Sequence, residues 1–234
     1  FFIFFKPECI IHLASFFIAE HDKSNIVNLI NSNILFGTQI LEAMSQTGVK
    51  LFINTGTSWQ NFNGEKYNPV CLYAATKESF EKIISYYVEA ENFKILTLKL
   101  FDTYGENDKR RKILSLLKQI AKDNSELLMS PGHQEINLTH INDVCNAFIL
   151  GLKLISDDGF LGHKVYFVKN KRSHTLREIV SLIEKATNCK LNIKWGAREY
   201  RSREILKIIE NIETVPGWTS SVSIEDGIKN LFKE

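Results

Sequence analysis

Short continuous apolar runs alternate along this chain with long stretches whose apolar residues recur three and four positions apart. Glu8–Ala14 carries Cys9, Ile10, Ile11 and Leu13 around His12 and predicts a strand buried on both faces. From Asn25 to Ser45, Ile26, Leu29, Ile30, Ile34, Leu41 and Met44 fall at helical spacing, and Gly48 marks the stop. Val49–Asn54 predicts a second strand, followed by a polar loop through Pro69. Tyr73–Glu91 predicts a second long helix and Phe93–Leu100 a third strand. Strand–helix–strand repetition of this kind implies right-handed crossovers and a parallel sheet, hence an α/β, doubly wound fold.

Beyond Gly105 the elements shorten. The pattern predicts helices over Lys112–Lys122, Asp143–Ile155, Thr175–Thr187, Tyr200–Glu210 and Ile224–Phe232, and strands over Glu135–Ile141, Lys164–Val168 and Leu191–Trp195. Residues 1–105, with 136–168 returning to them, are expected to form the sheet-bearing domain. Residues 106–135 and 169–234 are expected to form a smaller mixed lobe.

Composition narrows the function classes. The 234 residues are 44% hydrophobic and 24% charged, too apolar for a disordered chain. A net charge of +2 argues against a polyanion-binding surface, so no nucleic-acid partner is expected. Cys9, Cys71, Cys145 and Cys189 form no C-x-x-C pair, which disfavours a zinc knuckle or a disulfide scaffold and suits a reduced, cytoplasmic compartment. The apolar run Phe1–Phe5 stops at Lys6, far short of the roughly 20 residues of a membrane span. It lacks the charged start of a signal peptide, and the chain opens on Phe1, so the sequence reads as a fragment whose natural beginning is missing.

Tyr73 and Lys77 stand four apart on a predicted helix, which places them on one face. A phenol near pKa ~10 is a poor proton shuttle at neutral pH, and a neighbouring ammonium favours its ionised form. Thr55, in the polar segment after the second strand, lies at a carboxyl end, where ligands of parallel sheets bind. Other candidates carry less. His12 reads as a satisfied core residue, and His133 and His140 lack partners at metal spacing. Ser173, His174 or Thr175 is expected near a helix cap. Trp195, Tyr200 and Trp218 read as core aromatics, and the basic run Lys109–Lys112 as a solvated face.

These residues together resemble a known family. Tyr73-Ala74-Ala75-Thr76-Lys77, with Thr55 18 residues before the tyrosine, is similar to the Ser/Thr–Tyr–Lys site of the extended short-chain dehydrogenase/reductases, which modify nucleotide-activated sugars. Lys6–Ala14 resembles the family's fourth strand, whose last residues, here Leu13 and Ala14, line the nicotinamide side. Asn33 matches a helix asparagine on the cofactor side. Leu98–Gly105 resembles the segment that closes over cofactor and sugar, which implies cofactor contacts from Phe101 and Thr103 and a substrate contact from Asp102. Gly132–Asp143 resembles the stretch leading to a buried aspartate, with Gln134 and Asn137 toward the substrate. Arg201 stands where relatives carry a diphosphate-binding arginine, and Pro216–Trp218 with Ser223–Gly227 resembles the closing helix.

The resemblance implies a Rossmann-type fold, NAD or NADP as cofactor with no metal, and a CDP-, dTDP- or UDP-linked sugar as substrate. It also implies a cytoplasmic homodimer built on the two long helices and a place in O-antigen or polysaccharide synthesis. Thr55, Tyr73 and Lys77 would be catalytic, Tyr73 and Lys77 would also touch the cofactor, and Gly56 and Thr57 would touch the sugar. Two departures shape the expectation. None of the 12 glycines forms G-x-x-G-x-x-G or G-x-G-x-x-G, so the phosphate-cradling turn is absent and the fold is expected to be amino-terminally truncated. Thr55 is followed by Gly56-Thr57 where 4,6-dehydratases carry Asp-Glu, which points to a 4-ketoreductase or 4-epimerase; Ser130–Gln134 and the Thr-x-Thr form are most similar to CDP-dideoxy-sugar synthases. Ile136 replaces an arginine of many relatives. The alternative is a non-catalytic remnant that binds a nucleotide sugar or a partner subunit without turnover.

Overall fold

The computed structural model describes residues 2–106, 108, 110 and 112–233. Along the chain run α1 (Phe2–Phe5), β1 (Cys9–His12), α2 (Ile26–Ile30), α3 (Phe36–Thr47), β2 (Leu51–Thr57), α4 (Leu72–Glu91), β3 (Lys94–Leu100), β4 (Asp102–Tyr104) and α5 (Ile113–Asp123). There follow β5 (Leu127–Leu128), β6 (Glu135–Ile136), β7 (Leu138–His140), α6 (Ile141–Ile155), β8 (His163–Val168), β9 (His174–Thr175), α7 (Leu176–Thr187), β10 (Ile193–Lys194) and α8 (Ile224–Leu231).

The described chain forms two compact units. The first comprises Phe1–Leu100, Asn146–Val168 and Asn211–Trp218, and the second comprises Phe101–Cys145, Lys169–Glu210 and Thr219–Glu234. Residues 101–105 and 136–145, expected with the sheet, cluster instead with the second unit, and 211–218 with the first. Asn211–Trp218 joins the first unit through a bridge between Thr214 and Phe167 of β8 and a Phe167 N–H bond to the Glu213 carbonyl.

In the first unit a parallel sheet runs β1-β2-β3-β8, with Ile11 beside Ile53, Phe52 beside Ile95 and Leu98 beside Tyr166. Alternation along β3 sends Ile95 into the cluster with Phe52, Phe80 and Ile84, and sends Leu96 and Leu98 toward Gly151 on α6. Helices thus cover both faces, the doubly wound arrangement the alternation predicts and the Rossmann-type fold the resemblance implies. Phe52 and Phe80 are fully buried, and truncating either to alanine should cost about 3–5 kcal/mol. Gly48 caps α3 in the left-handed conformation (φ 76°), where a side chain would be strained.

Two local features depart from the pattern. The long helix expected over Asn25–Ser45 is interrupted by a π turn at Asn31–Leu35, which holds the buried Asn33. Such single-turn bulges gather at functional sites. The second strand runs three residues past Asn54, because β3 continues alongside it: Thr55 pairs with Leu98, Gly56 with Lys99 and Thr57 with Leu100. The stretch expected as loop is therefore strand, its backbone already bonded.

The second unit packs α5, α7 and α8 around Leu117, Ile120, Leu138, Ile179, Ile183 and Ile228. The strand expected over Glu135–Ile141 splits at Asn137: β6 pairs antiparallel with β9, and β7 pairs parallel with β4. Thr175 is the cap of α7, in a capping box with Glu178. The helix expected over Tyr200–Glu210 does not form. Glu135 claims that segment, since its backbone N–H bonds the Leu206 carbonyl, its carboxylate accepts the Ile208 N–H at 2.9 Å, and Lys207 pairs with it at 2.6 Å. Tertiary hydrogen bonds override a helical spacing that propensity favours only weakly.

Candidate active site

The first turns of α4 carry Tyr73 and Lys77. Lys77 is not on a solvated face: it is 2% exposed, and its Nζ has no hydrogen-bond partner among the described residues. Burial pushes its ammonium down to about 8, against the opposing pull of the Glu81 carboxylate one turn on. Tyr73 is half-buried and meets the Phe17 ring edge-on at 5.0 Å; Phe17 lies 5.7 Å from the Trp59 ring. The Thr55 hydroxyl, on β2, is also buried without a partner. Thr57 caps the turn Ser58–Gln60 by accepting the Trp59 N–H at 3.3 Å. A Cβ on Gly56 would come within 2.9 Å of both Gln60 Oε1 and Lys99 Cγ, so glycine there admits a close packing.

Asn33 is fully buried and its amide is spent inside the fold. Oδ1 accepts from Ser15 Oγ (3.1 Å) and the Phe16 N–H (2.9 Å), and Nδ2 donates to the Phe16 carbonyl and Thr76 Oγ1 (both 3.0 Å). It pins the segment after β1 against α4. Leu13 and Ala14, at the head of that segment, are exposed. His12 is buried as expected among Phe36, Phe52 and Phe80, but it is not satisfied: Nε2 has no partner, and burial with the nearby Lys77 charge pushes its pKa down to about 4.

The remaining candidates lie in the second unit. Burial raises the Asp102 carboxyl, opposed by Lys112, Arg201 and Arg110. Phe101 is buried, and Thr103 Oγ1 donates to the Phe101 carbonyl at 3.4 Å. Gln134 is buried and exchanges hydrogen bonds with Ser130. Asn137 is fully buried; its Oδ1 accepts the Asn170 N–H at 2.8 Å, and its Nδ2 donates to the Asn170 carbonyl and Ser173 Oγ. Arg201 holds Glu204 through two bonds of 2.8 and 2.9 Å. Asp143 is buried and accepts from the Ser221 N–H and hydroxyl and the Val222 N–H. His140 packs edge-on to Tyr104, and Trp195 is half-buried beneath the Arg177 guanidinium. Lys109 and Arg111 of the basic run lie outside the described residues, whereas Arg110 pairs with Asp108.

Sequence reasoning passed over Gln60, Glu81 and Lys99, which form a buried polar cluster beside Lys77. The signals were present: Glu81 stands four residues beyond Lys77, and Lys99 interrupts the apolar third strand. The buried, unpartnered Lys77 ammonium fits the nicotinamide-ribose end of a dinucleotide, whose hydroxyls would complete its bonding. For the pyrophosphate end this chain offers no glycine-rich turn.

Comparison with known proteins identifies the family. Residues 1–159 match the NAD dependent epimerase/dehydratase family. The chain is 28% identical over 226 residues to the CDP-abequose synthase of Salmonella muenchen, covering 95% of this chain and 75% of that protein. It is 28% identical over 202 residues to the same-named enzyme of Yersinia pseudotuberculosis, covering 86% and 69%. Its fold superposes with a TM-score of 0.86 on the UDP-glucuronic acid 4-epimerase of Bacillus cereus, solved with UDP-glucuronic acid and NAD, at 20% identity over 98% of this chain and 76% of that one. The chain belongs to the NAD dependent epimerase/dehydratase family, the nucleotide-sugar-modifying branch of the extended short-chain dehydrogenase/reductases.

Proposed function

We propose that in the full-length enzyme this chain carries the acid–base site of an NAD(P)-dependent 4-ketoreductase or 4-epimerase acting on a CDP-, dTDP- or UDP-linked sugar. The observation that carries the reading is the Lys77 ammonium, buried without a partner one helical turn from Tyr73. Leaving such a group unpaired costs several kcal/mol, a cost expected where a ligand is to complete it. The absence of Asp-Glu after Thr55 favours reduction or epimerisation over dehydration, and likeness to the two synthases favours a CDP-linked sugar.

A nicotinamide dinucleotide, when bound, supplies the hydride donor or acceptor at the sugar C4. The rest falls to the chain's own residues. Thr55 Oγ1 orients the C4 oxygen by a hydrogen bond. Tyr73 gives its phenolic proton to that oxygen as alkoxide character develops, or takes it in the oxidative direction. Lys77, as the ammonium, favours the phenolate and holds the ribose hydroxyls. Phe17, packed against Trp59, restricts the tyrosine ring. With a pKa of about 8 the ammonium persists at neutral pH and is lost above it, so turnover should fall on the alkaline side of about 8.

The exposed apolar residues Val27, Ile30, Leu35, Phe36 and Tyr86 on the long helices support a homodimer. Four free cysteines and the lack of any helix apolar and long enough to span a membrane, among the described residues, support a cytoplasmic site. Tyr73→Phe in the full-length protein should lower kcat by about 10²–10⁴ with little change in KM. Retention of more than about a tenth of the rate would overturn the assignment. Calorimetry that finds no NAD(P)H binding to the full-length protein would favour the non-catalytic reading.

A further inference from the structure

Around the helical turn that follows Lys77, four side chains of the first unit form a buried charged cluster. Gln60 is fully buried; its Nε2 donates to Glu78 Oε2 at 2.8 Å and to Glu81 Oε1 at 2.7 Å, while its Oε1 accepts the Thr57 N–H at 2.9 Å. Lys99, on β3, places Nζ 3.6 Å from Glu81 Oε2 and 3.8 Å from Glu78 Oε2, and donates to Asn61 Oδ1 at 3.1 Å. The space for this comes from Gly56, whose missing Cβ would touch Gln60 and Lys99. Apolar side chains of similar size would hold helix to sheet at less desolvation cost, since each buried ion costs several kcal/mol before pairing. Packing alone therefore does not account for the cluster.

Its charges do not balance internally. Lys99 is shared between two carboxylates, so one negative charge is left over. The buried cation on the helix is Lys77, one turn before Glu81, whose field acts on it, while Lys82, next to Glu81 in sequence, is exposed and donates to the Tyr67 hydroxyl at 2.9 Å. The ionisable groups facing Lys77 are few. Tyr73, Glu78, Glu81 and the exposed Lys82, which lies in the field of both carboxylates, share its helix. His12 on β1 is neutral above about pH 4. Lys99 on β3 pairs with Glu81, whose carboxyl pKa is raised by burial and held down by the Lys99 ammonium. The packed segments Ile26–Ile30, Asn31–Leu35 and Ser58–Gln60 carry no charged residue, and Glu42 of α3 bonds Tyr87 toward the other end of α4.

We propose that Glu81 is a positioning residue for the Tyr73–Lys77 pair: fixed by Gln60 and Lys99, it supplies the counter-charge that keeps Lys77 protonated in its buried site. Gln60 links that setting to the Thr57 backbone at the end of β2, so the strand bearing the hydroxyl and the helix bearing the tyrosine are held in one register. The inference rests on the functional reading above, yet its test is separate. In full-length protein labelled with 13Cε-lysine, the Lys77 resonance, assigned by its loss in Lys77→Arg, should titrate near 8.

Glu81→Gln should lower that midpoint by about one unit or more, and the alkaline limb of the kcat–pH profile should move with it. Glu81→Asp, which keeps the charge, should restore most of the shift. A purely structural role would lower the melting temperature and leave the midpoint in place. A midpoint that moves by less than about 0.3 units in Glu81→Gln overturns the proposal. Should that variant fail to fold, combining Glu78→Gln and Glu81→Gln with Lys99→Met removes all three charges of the cluster, and a drop is again expected, the same constancy being fatal. Full turnover in Lys77→Arg would defeat the functional reading while leaving the titration result standing.

Discussion

Two sets of polar residues, one in each unit, were expected to meet ligands, and the fold treats them differently. In the first unit Lys77 Nζ and Thr55 Oγ1 are buried with no hydrogen-bond partner among the described residues, whereas the Asn33 amide is saturated. In the second unit Asn137 is committed to the Asn170 backbone and Ser173, Gln134 to Ser130, and the Arg201 fork to Glu204. An unpaired buried polar group costs about 1–3 kcal/mol, more when charged, so a chain tolerates several of them where a ligand is to complete the bonding. A saturated group defines a loop. Residue type alone does not separate the two; unspent hydrogen-bonding capacity does.

The contrast can be broken experimentally, most forcefully at Lys77. Replacing it by methionine should lower kcat at least about 100-fold and, by removing a buried ammonium whose pKa is depressed to about 8, should leave the protein as stable or up to about 3 kcal/mol more stable at neutral pH. Steady-state kinetics beside urea unfolding would read both, and a loss of stability with intact turnover would reverse the interpretation. The two threonines offer a sharper cut. Thr55→Val should cost about 10- to 100-fold in kcat with an unchanged melting temperature, since only a ligand bond is lost. Thr57→Val should instead cost about 1 kcal/mol of stability, because its hydroxyl caps a turn. The opposite pair of outcomes would move the orienting hydroxyl to Thr57.

In the second unit, Arg201→Ala should raise KM for the nucleotide sugar by less than about threefold if Glu204 is the arginine's working partner. A rise of tenfold or more would return it to the diphosphate. The smallest effect is expected at His12. The fold keeps its imidazole neutral down to about pH 4, whereas the unfolded chain takes up a proton near 6.5. The unfolded state therefore binds more protons as pH falls through that window, and stability drops. His12→Phe, apolar and of similar shape among Phe36, Phe52 and Phe80, should remove about 1 kcal/mol of the loss between pH 7 and 6, read as the shift in urea midpoint.

Much of the architecture was legible because it follows from periodicity. A run such as Phe93–Leu100 has no polar side to offer water, and the spacing of Leu41 and Met44 suits one helical face. The π turn at Asn31–Leu35 was not legible, since it arises from Asn33 bonding the segment after β1 and Thr76. Nor was the irregular course of Tyr200–Glu210, whose backbone is held by Glu135 from 65 or more residues away in sequence. Of the candidate site, Tyr73 and Lys77 could be picked out by their spacing. That Lys77 is buried, and that Gln60 and Lys99 hold Glu81 one turn beyond it, could not.

Sequence alone therefore settled the class of fold, the order of its long elements and the residue types able to move a proton. Which of those groups are left unpaired, which are consumed by loops, and which charges balance one another was decided only by tertiary structure. The reason is one of range: hydrophobic spacing acts within a helix or strand, whereas desolvation and ion pairing depend on what the rest of the chain brings alongside.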